Sequence, residues 1–396
     1  MPFRLSSQNV LNYLIDNQII NWEFPSVLEA HLASGKNFNL LVRLEGGQDF
    51  LVKQERYNEK EKTVGEFWYE WYLHQLLGAF PELVGIRPWI VEPLHFDSQH
   101  SILVVEYLQH FLDLSDFYEE SADRPEAEQF PPAIATALGT ALAHIHRSTY
   151  RHPAYEPYLT QLNGGKPLSR MPSVLRCLER VSVRTFGKVD RESLQFFRLF
   201  QRYDSLRSAI AQLKASWNAC CLIHRDLRLS NILLHQDWRT MDPASSPEPM
   251  LRLIDWEKMG WGDPAFDLGT VIAHYLEIWL DSLVVHKGLD LSMSLQLAQV
   301  PISQLQPSLM ALVQAYVNQF PEIVTDRSNF LWQALQFAGI VLIGGIAIKL
   351  DYHRPFDNCD ICKLQVAKTL LCQPEKSELS VFGGSISLVP SDVALV

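Results

Sequence analysis

His224, Arg225, Asp226 and Asn231 fall within one short stretch, Leu222 to Leu234 (LIHRDLRLSNILL), with apolar strand-like residues on both sides. A carboxylate and a neutral amide five residues apart in one rigid loop (H-R-D-x-x-x-x-N) suit phosphoryl transfer. Asp226 would accept the proton of an attacking hydroxyl and orient it toward the phosphorus. Asn231 would lend a neutral carbonyl oxygen to Mg2+, which prefers hard oxygen donors. His224 would brace the loop by hydrogen bonds. Asp255 follows the apolar run Leu251 to Ile254. A carboxylate at a strand end, reached by a hairpin returning from the loop, is placed to bridge phosphates through the same cation. The bland alternative is a chance H-R-D match beside an ordinary strand-end acid. Order, spacing and flanking strands together weigh against it.

These groups need elements to hold them. Alternating apolar character marks His31 to Leu44, Asp49 to Gln54 and Ser101 to Leu108 as strands of one antiparallel sheet, with Gly46-Gly47 turning between the first two. Thr63 to Leu77 has apolar residues at helical spacing. After Pro131-Pro132, Ala133 to His146 reads as a strong helix, and the chain is mostly helical from there on. Two short apolar segments, Ile232 to Leu234 and Leu251 to Ile254, flank a Pro/Ser-rich loop (DPASSPEP) and form a hairpin. The last residues (SELSVFGGSISLVPSDVALV) lack a helical period and read as a tail. The expected organisation is an N-terminal lobe over 1–108, a helical lobe over 109–373 and a tail over 374–396.

Leu253 to Glu257 (LIDWE) is followed by Gly262 to Ile272 (GDPAFDLGTVI). With the Asp226–Asn231 loop, this order resembles the aminoglycoside phosphotransferase and choline kinase family, whose fold is similar to that of protein kinases. The resemblance runs from about Ser34 to Ile272. It implies a two-lobed α+β protein-kinase-like fold, with a small N-terminal antiparallel sheet lobe carrying one helix and a larger, mainly helical C-terminal lobe. It also implies transfer of the γ-phosphate of ATP to a hydroxyl with Mg2+. Asp267 would then be an acid supporting the catalytic loop. Trp256-Glu257, where protein kinases carry Phe-Gly, favours the small-molecule branch, and Glu257 is either a further supporting acid or only a solvent-facing residue. Trp256 and Trp261 are the two aromatics placed near a ligand.

Further resemblances lie in the N-terminal strands. Ser34-Gly35-Lys36-Asn37-Phe38-Asn39 is similar to the family's Ser-Gly-Gly-x-x-Asn phosphate loop, with Lys36 in place of the second glycine and able to contact phosphate itself. Lys53 would bind the α- and β-phosphates as a compact charge. Read without the downstream loop, it is a solvent-facing strand residue. Its partner would be a glutamate on the next helix. Glu66 and Glu70 share a face, and the run Glu70, Leu73, Leu76 resembles the family better. Backbone groups at Glu106 and Leu108 would hold the adenine.

Composition sets the remaining bounds. The 396 residues include 34 Lys+Arg and 45 Asp+Glu, a net charge of −11, with 47% hydrophobic residues. That excludes a disordered or fibrous chain and disfavours nucleic acid and anionic membrane as partners. The longest apolar run, Phe337 to Ile348, is shorter than a bilayer span and reads as a buried helix. The N-terminal residues lack a secretory pattern, so a cytoplasmic location is expected. Six cysteines are too sparse for a disulfide scaffold, and Cys359, Cys362 and Cys372 suit helix packing better than zinc.

The acceptor region is unevenly charged. Arg151 to Lys214 carries twelve Lys/Arg and five Asp/Glu, a net +7 that leaves −18 for the rest. A basic acceptor segment disfavours polycationic aminoglycosides and quaternary amines. It suits an anionic small molecule or an acidic peptide, unless these arginines form only a solvated face. Arg228, two residues after Asp226, points the same way. One rival is a Ser/Thr kinase acting on a precursor peptide in a natural-product pathway. The other is a catalytically silent pseudokinase-like binding module, against which the full set of Lys53, Asp226, Asn231 and Asp255 argues.

Overall fold

The computed structural model describes residues 2–20, 27–33, 36–44, 49–120, 124–169, 171–177, 191–241, 246, 248–285, 288, 291–352 and 354–386. They divide into two units. The first comprises Met1–Leu114, Pro157–Lys166 and Asn231–Met259, and the second Ser115–Glu156, Pro167–Ser230 and Gly260–Val396.

Strand periodicity organises the first unit. Strands β1 (Val27–Ala33), β2 (Phe38–Leu44), β3 (Asp49–Gln54), β4 (Pro93–Asp97) and β5 (Ile102–Glu106) form one antiparallel sheet in the order β1-β2-β3-β5-β4. Successive side chains alternate faces. Phe50 and Val52 of β3, with Ile102 and Val104 of β5, pack against Leu5 and against Val10, Tyr13 and Leu14 of helix α1 (Val10–Asp16). Leu103 and Val105 instead join Phe67 of helix α2 (Phe67–Ala79), Leu51, Val91, Leu108 and Ile254. Each such side chain contributes about 1.5–3 kcal/mol when fully buried. The sheet is therefore covered on both faces, and β3, its central strand, is buried at five of six positions.

A second, three-stranded sheet completes this unit: β6 (Phe111–Asp113), β8 (Ile232–His235) and β9 (Leu251–Leu253), ordered β6-β8-β9. Ile232 lies opposite Leu253, so β8 and β9 form the expected hairpin.

Helices dominate the second unit. Helix α3 (Pro132–Thr149) packs on α5 (Ile302–Gln319), and α4 (Pro264–Asp281) on α6 (Phe330–Asp351). Both crossings are close because of glycine. A Cβ on Gly139 would lie 2.2 Å from the Leu312 carbonyl oxygen, and one on Gly269 would lie 2.4 Å from that of Ala334. A short pair, β7 (Cys221–Ile223) with β10 (Gly260–Gly262), lies beside them.

Four features go beyond the sequence reading. The stretch His31 to Leu44 belongs to two strands, β1 ending at Ala33 and β2 starting at Phe38, and β4 gives no sequence signal, since it opens on a proline and its strand character comes from pairing with β5. Helix α6 is 22 residues long and apolar enough to cross a membrane by length and composition, but 67% of its apolar window is buried within the protein. Helix α8 (Pro374–Phe382) runs into the stretch read as an aperiodic tail, started by Pro374 at its first turn and closed by Gly383 at φ 73°. Residues 387–396 lie outside the described residues. Cys359, Cys362 and Cys372 are free thiols on helix α7 (Asn358–Cys372), and no cluster of three His/Cys/Asp/Glu metal ligands occurs among the described residues.

Candidate active site

In the first unit, β3 and the end of the β8–β9 hairpin meet. Lys53 projects from β3, 6% exposed, and its Nζ is ion-paired with the Asp255 carboxylate. Burial disfavours the ammonium charge, but Asp255 and Glu70 outweigh it and hold Lys53 above the ordinary lysine range. Glu70, on α2 and 3% exposed, adds to this field. Its Oε2 has no hydrogen-bond partner among the described residues. Burial pushes Glu70 up to about 7, against the pull of Lys53 and with the carboxylates of Asp255 and Glu257 adding to the rise. Of the two candidate glutamates, Glu66 pairs with Lys36, and Glu70 is the one in the field of Lys53.

Asn231 and Asp255 stand at one end of the hairpin. Asn231 closes a 3-10 turn (Leu229–Asn231) just before β8, and its carbonyl accepts the Ile254 N–H at 3.0 Å. Asp255 adopts the left-handed conformation (φ 59°, ψ 55°), which short polar side chains tolerate. Trp256 follows at 1% exposure, its Nε1 donating to the Leu253 carbonyl at 3.1 Å. Trp261 is 3% exposed. Neither indole lies open to a ligand, contrary to the sequence reading; both fill core.

In the second unit, the loop after β7 is fixed by one acid. Asp267, in the first turn of α4 and 1% exposed, accepts the His224 N–H on Oδ2 at 2.6 Å and the Arg225 N–H on Oδ1 at 2.9 Å. His224 is fully buried, and its Nδ1 accepts the Asp226 N–H at 3.3 Å. Asp226 is 17% exposed, and the Arg228 guanidinium donates to its Oδ2 at 3.2 Å. Arg225 stands at φ 69°. Glycine is the residue that adopts this conformation without steric cost. The Arg225 side chain is accommodated by Gly260, whose Cβ would lie 3.1 Å from Nη1.

The turn into β2 carries a third group. Lys36 is ion-paired with Glu66 and lies 3.7 Å from Glu257 Oε1, while Asn37 Nδ2 donates to Glu257 Oε2 at 3.1 Å. Glu257 is only 12% exposed, so of its two sequence readings the solvent-facing one fails. Ser34 and Gly35 lie outside the described residues. Glu106 ends β5 with an exposed side chain, and the Leu108 carbonyl accepts the Phe111 N–H at 3.2 Å.

Several supporting residues escape sequence reasoning. His146, fully buried on α3, bonds Tyr316 Oη at 2.9 Å and lies 3.4 Å from Asp267 Oδ2. Thr149 Oγ1 accepts the Leu222 N–H at 3.0 Å. Asp263 takes the Arg327 guanidinium in a two-pronged pair at 2.8 and 2.9 Å. His146 and Thr149 show in the sequence only as polar residues inside an apolar helix; Asp263 caps α4 within the Gly262–Ile272 motif, and Arg327 follows a short helix over Pro321–Asp326. Their partners lie far along the chain.

The sequence model of the phosphotransferase enzyme family (APH) matches residues 31–291, more than half of the chain. The chain belongs to this family. Membership makes it a phosphotransferase that acts on a hydroxyl group. Comparison with curated protein sequences found no match. Among solved structures, the GDP and kanamycin complex of APH(2")-IIia is similar at 14% identity, with 93% of this chain and 99% of that chain covered and a TM-score of 0.50. A choline/ethanolamine kinase family protein from Mesorhizobium loti is similar at 16% identity, covering 96% of this chain and 99% of that one, with a TM-score of 0.49. The fold of this phosphotransferase is the kinase-like α+β fold, with an antiparallel N-terminal sheet and a mostly helical remainder.

Proposed function

We propose that this phosphotransferase moves the γ-phosphate of ATP, with Mg2+, onto a hydroxyl of an acceptor that itself carries negative charge. The observation that carries the donor half is the ion pair of Lys53 with Asp255. It unites a strand cation suited to phosphate with a strand-end carboxylate suited to a metal. Nucleotide at this fold has precedent in the GDP complex of APH(2")-IIia.

Asp255 and Asn231 would hold Mg2+. Their donors are a carboxylate and an amide carbonyl, hard oxygens that fit this ion, which keeps several waters. When bound, Mg2+ would neutralise charge on the β- and γ-phosphates. Lys53 would bind phosphate oxygens, its charge secured by the carboxylates around it. Asp226 would orient the acceptor hydroxyl and take its proton as the oxygen attacks. Asp267 would keep that base in place by fixing the backbone N–H groups just before it. Such positioning supplies much of the catalysis in phosphoryl transfer.

Arg228 supports the acceptor half. Its guanidinium is 56% exposed and bonded to Asp226, so an anionic group on the acceptor would meet a cation beside the base. Within the basic stretch, Arg151 is paired with Asp326 and Arg207 with Asp204, and residues 170 and 178–190 lie outside the described residues; Arg228, beyond that stretch, contacts the base. The test is turnover with ATP and Mg2+ on a panel of phosphorylated or carboxylated alcohols, acidic serine peptides, choline and aminoglycosides. Faster turnover of anionic acceptors, weakening with salt, is expected. Preference for choline or an aminoglycoside would overturn the acceptor assignment.

A further inference from the structure

Two carboxylates from separate elements converge on one ammonium in the first unit. Glu66 precedes α2, Glu257 lies in the turn behind Asp255, and Lys36 is bound to the first and 3.7 Å from the second. Asn37 adds a hydrogen bond to Glu257. The carboxylates are the more sheltered members, 22% and 12% exposed, whereas Lys36 is 57% exposed. An ammonium has three N–H donors, and exposed ion pairs are weak. Lys36 is thus held where an incoming anion can reach it.

We propose that Glu66 and Glu257 form a carboxylate clamp that competes with nucleotide phosphate for Lys36, so that nucleotide affinity is set by which partner Lys36 takes. This rests on the nucleotide-binding reading above and assigns Glu257 a role that its place after Asp255 does not itself imply. Lys36 binds phosphate when released, and the clamp restrains it. Glycine at this position would allow no such competition, so the device belongs to the lysine.

The decisive measurement is ADP affinity of the full chain by calorimetry, which needs no turnover. Four proteins are compared: the native chain, Glu257→Gln, Lys36→Met and the double variant. The amide of Glu257→Gln keeps an acceptor for Asn37 and removes only the charge. Glu257→Gln should tighten ADP about threefold, Lys36→Met should weaken it, and Glu257→Gln should change nothing in the Lys36→Met background. Glu257→Asp should bind ADP like the native chain, and adenosine affinity should be the same in all. Equal tightening in the Lys36→Met background would overturn the proposal, because the carboxylate would then act by repulsion alone. So would unchanged ADP affinity in Glu257→Gln. If Glu257→Gln fails to melt cooperatively, Glu66→Gln tests the other half of the clamp with the same expectations. Absence of ADP binding by the native chain would instead bring down the nucleotide reading, and the clamp with it.

Discussion

Lys53 Nζ and the Asp255 carboxylate form an ion pair although 202 residues separate them along the chain. Lys53 is nearly buried, while Asp255 is 39% exposed. Taking such charges out of water offsets much of their attraction, so the pair contributes little net stability. Its value lies in fixing a cation and a carboxylate at one point, where phosphate and a divalent ion would both find a partner.

Replacing that lysine exposes the asymmetry. In Lys53→Met, the buried Glu70 and the Asp255 carboxylate lose their counter-charge. Nucleotide affinity should fall by at least 2 kcal/mol, roughly thirtyfold, and the melting temperature should drop. Calorimetric ADP titration with a parallel thermal melt measures both. Affinity within twofold of the native chain would show that Lys53 does not bind phosphate.

Glu70 sets a pH dependence. Its folded pKa, pushed up to about 7 by burial, lies above its ordinary value of 4.5, with Lys53, Asp255 and Glu257 the charged groups acting on it. The folded chain then holds a proton that the unfolded chain has released. The stabilisation this gives is complete below about pH 4.5 and is lost as pH rises through about 7. Denaturant unfolding from pH 5 to 8 should show stability falling over that window from this group. Glu70→Gln should flatten the fall and gain stability relative to the native chain toward pH 8. Identical profiles for the two proteins would refute the shift.

Asp267→Ala should be far more damaging than an average surface change. Two backbone N–H groups, at His224 and Arg225, would lose their acceptor in a buried setting. A loss of about 1–3 kcal/mol is expected from such unpaired groups, read by urea unfolding. Asp267→Asn, which keeps one acceptor oxygen, should lose less stability but still lower kcat more than it changes nucleotide affinity. Native-like kcat in Asp267→Ala would contradict a bracing role.

Arg228→Ala addresses the acceptor. The KM for an anionic acceptor should rise about tenfold and its dependence on ionic strength should flatten, while nucleotide affinity stays unchanged. A salt response identical to that of the native chain would remove Arg228 from acceptor recognition.

Asp226, Asn231, Asp255 and Lys53 stand out in the sequence as candidates because each sits in a short contiguous pattern with an apolar strand beside it. The β8–β9 hairpin is legible as two short apolar runs around a Pro/Ser-rich loop, and helix α3 as an alanine-rich stretch after two prolines. Strand β4 is not, because its strand character comes from pairing with β5 rather than from its own residues. Glu257 escaped because its contacts, to Lys36 and Asn37, lie 220 residues away in the case of Asn37. His146 and Thr149 escaped likewise; an isolated polar residue in an apolar helix does not announce which distant backbone it serves. The close approach of α3 to α5 depends on Gly139 meeting Leu312, which no local pattern encodes.

The most direct test of the central claim is transfer of labelled γ-phosphate from ATP to the best acceptor of the panel, by the native chain and by Asp226→Asn. The account predicts a loss of about 10²–10⁴ in kcat for Asp226→Asn, with ADP affinity within about twofold of native. Undiminished transfer by Asp226→Asn would contradict it, because the hydroxyl proton would then be leaving by another route.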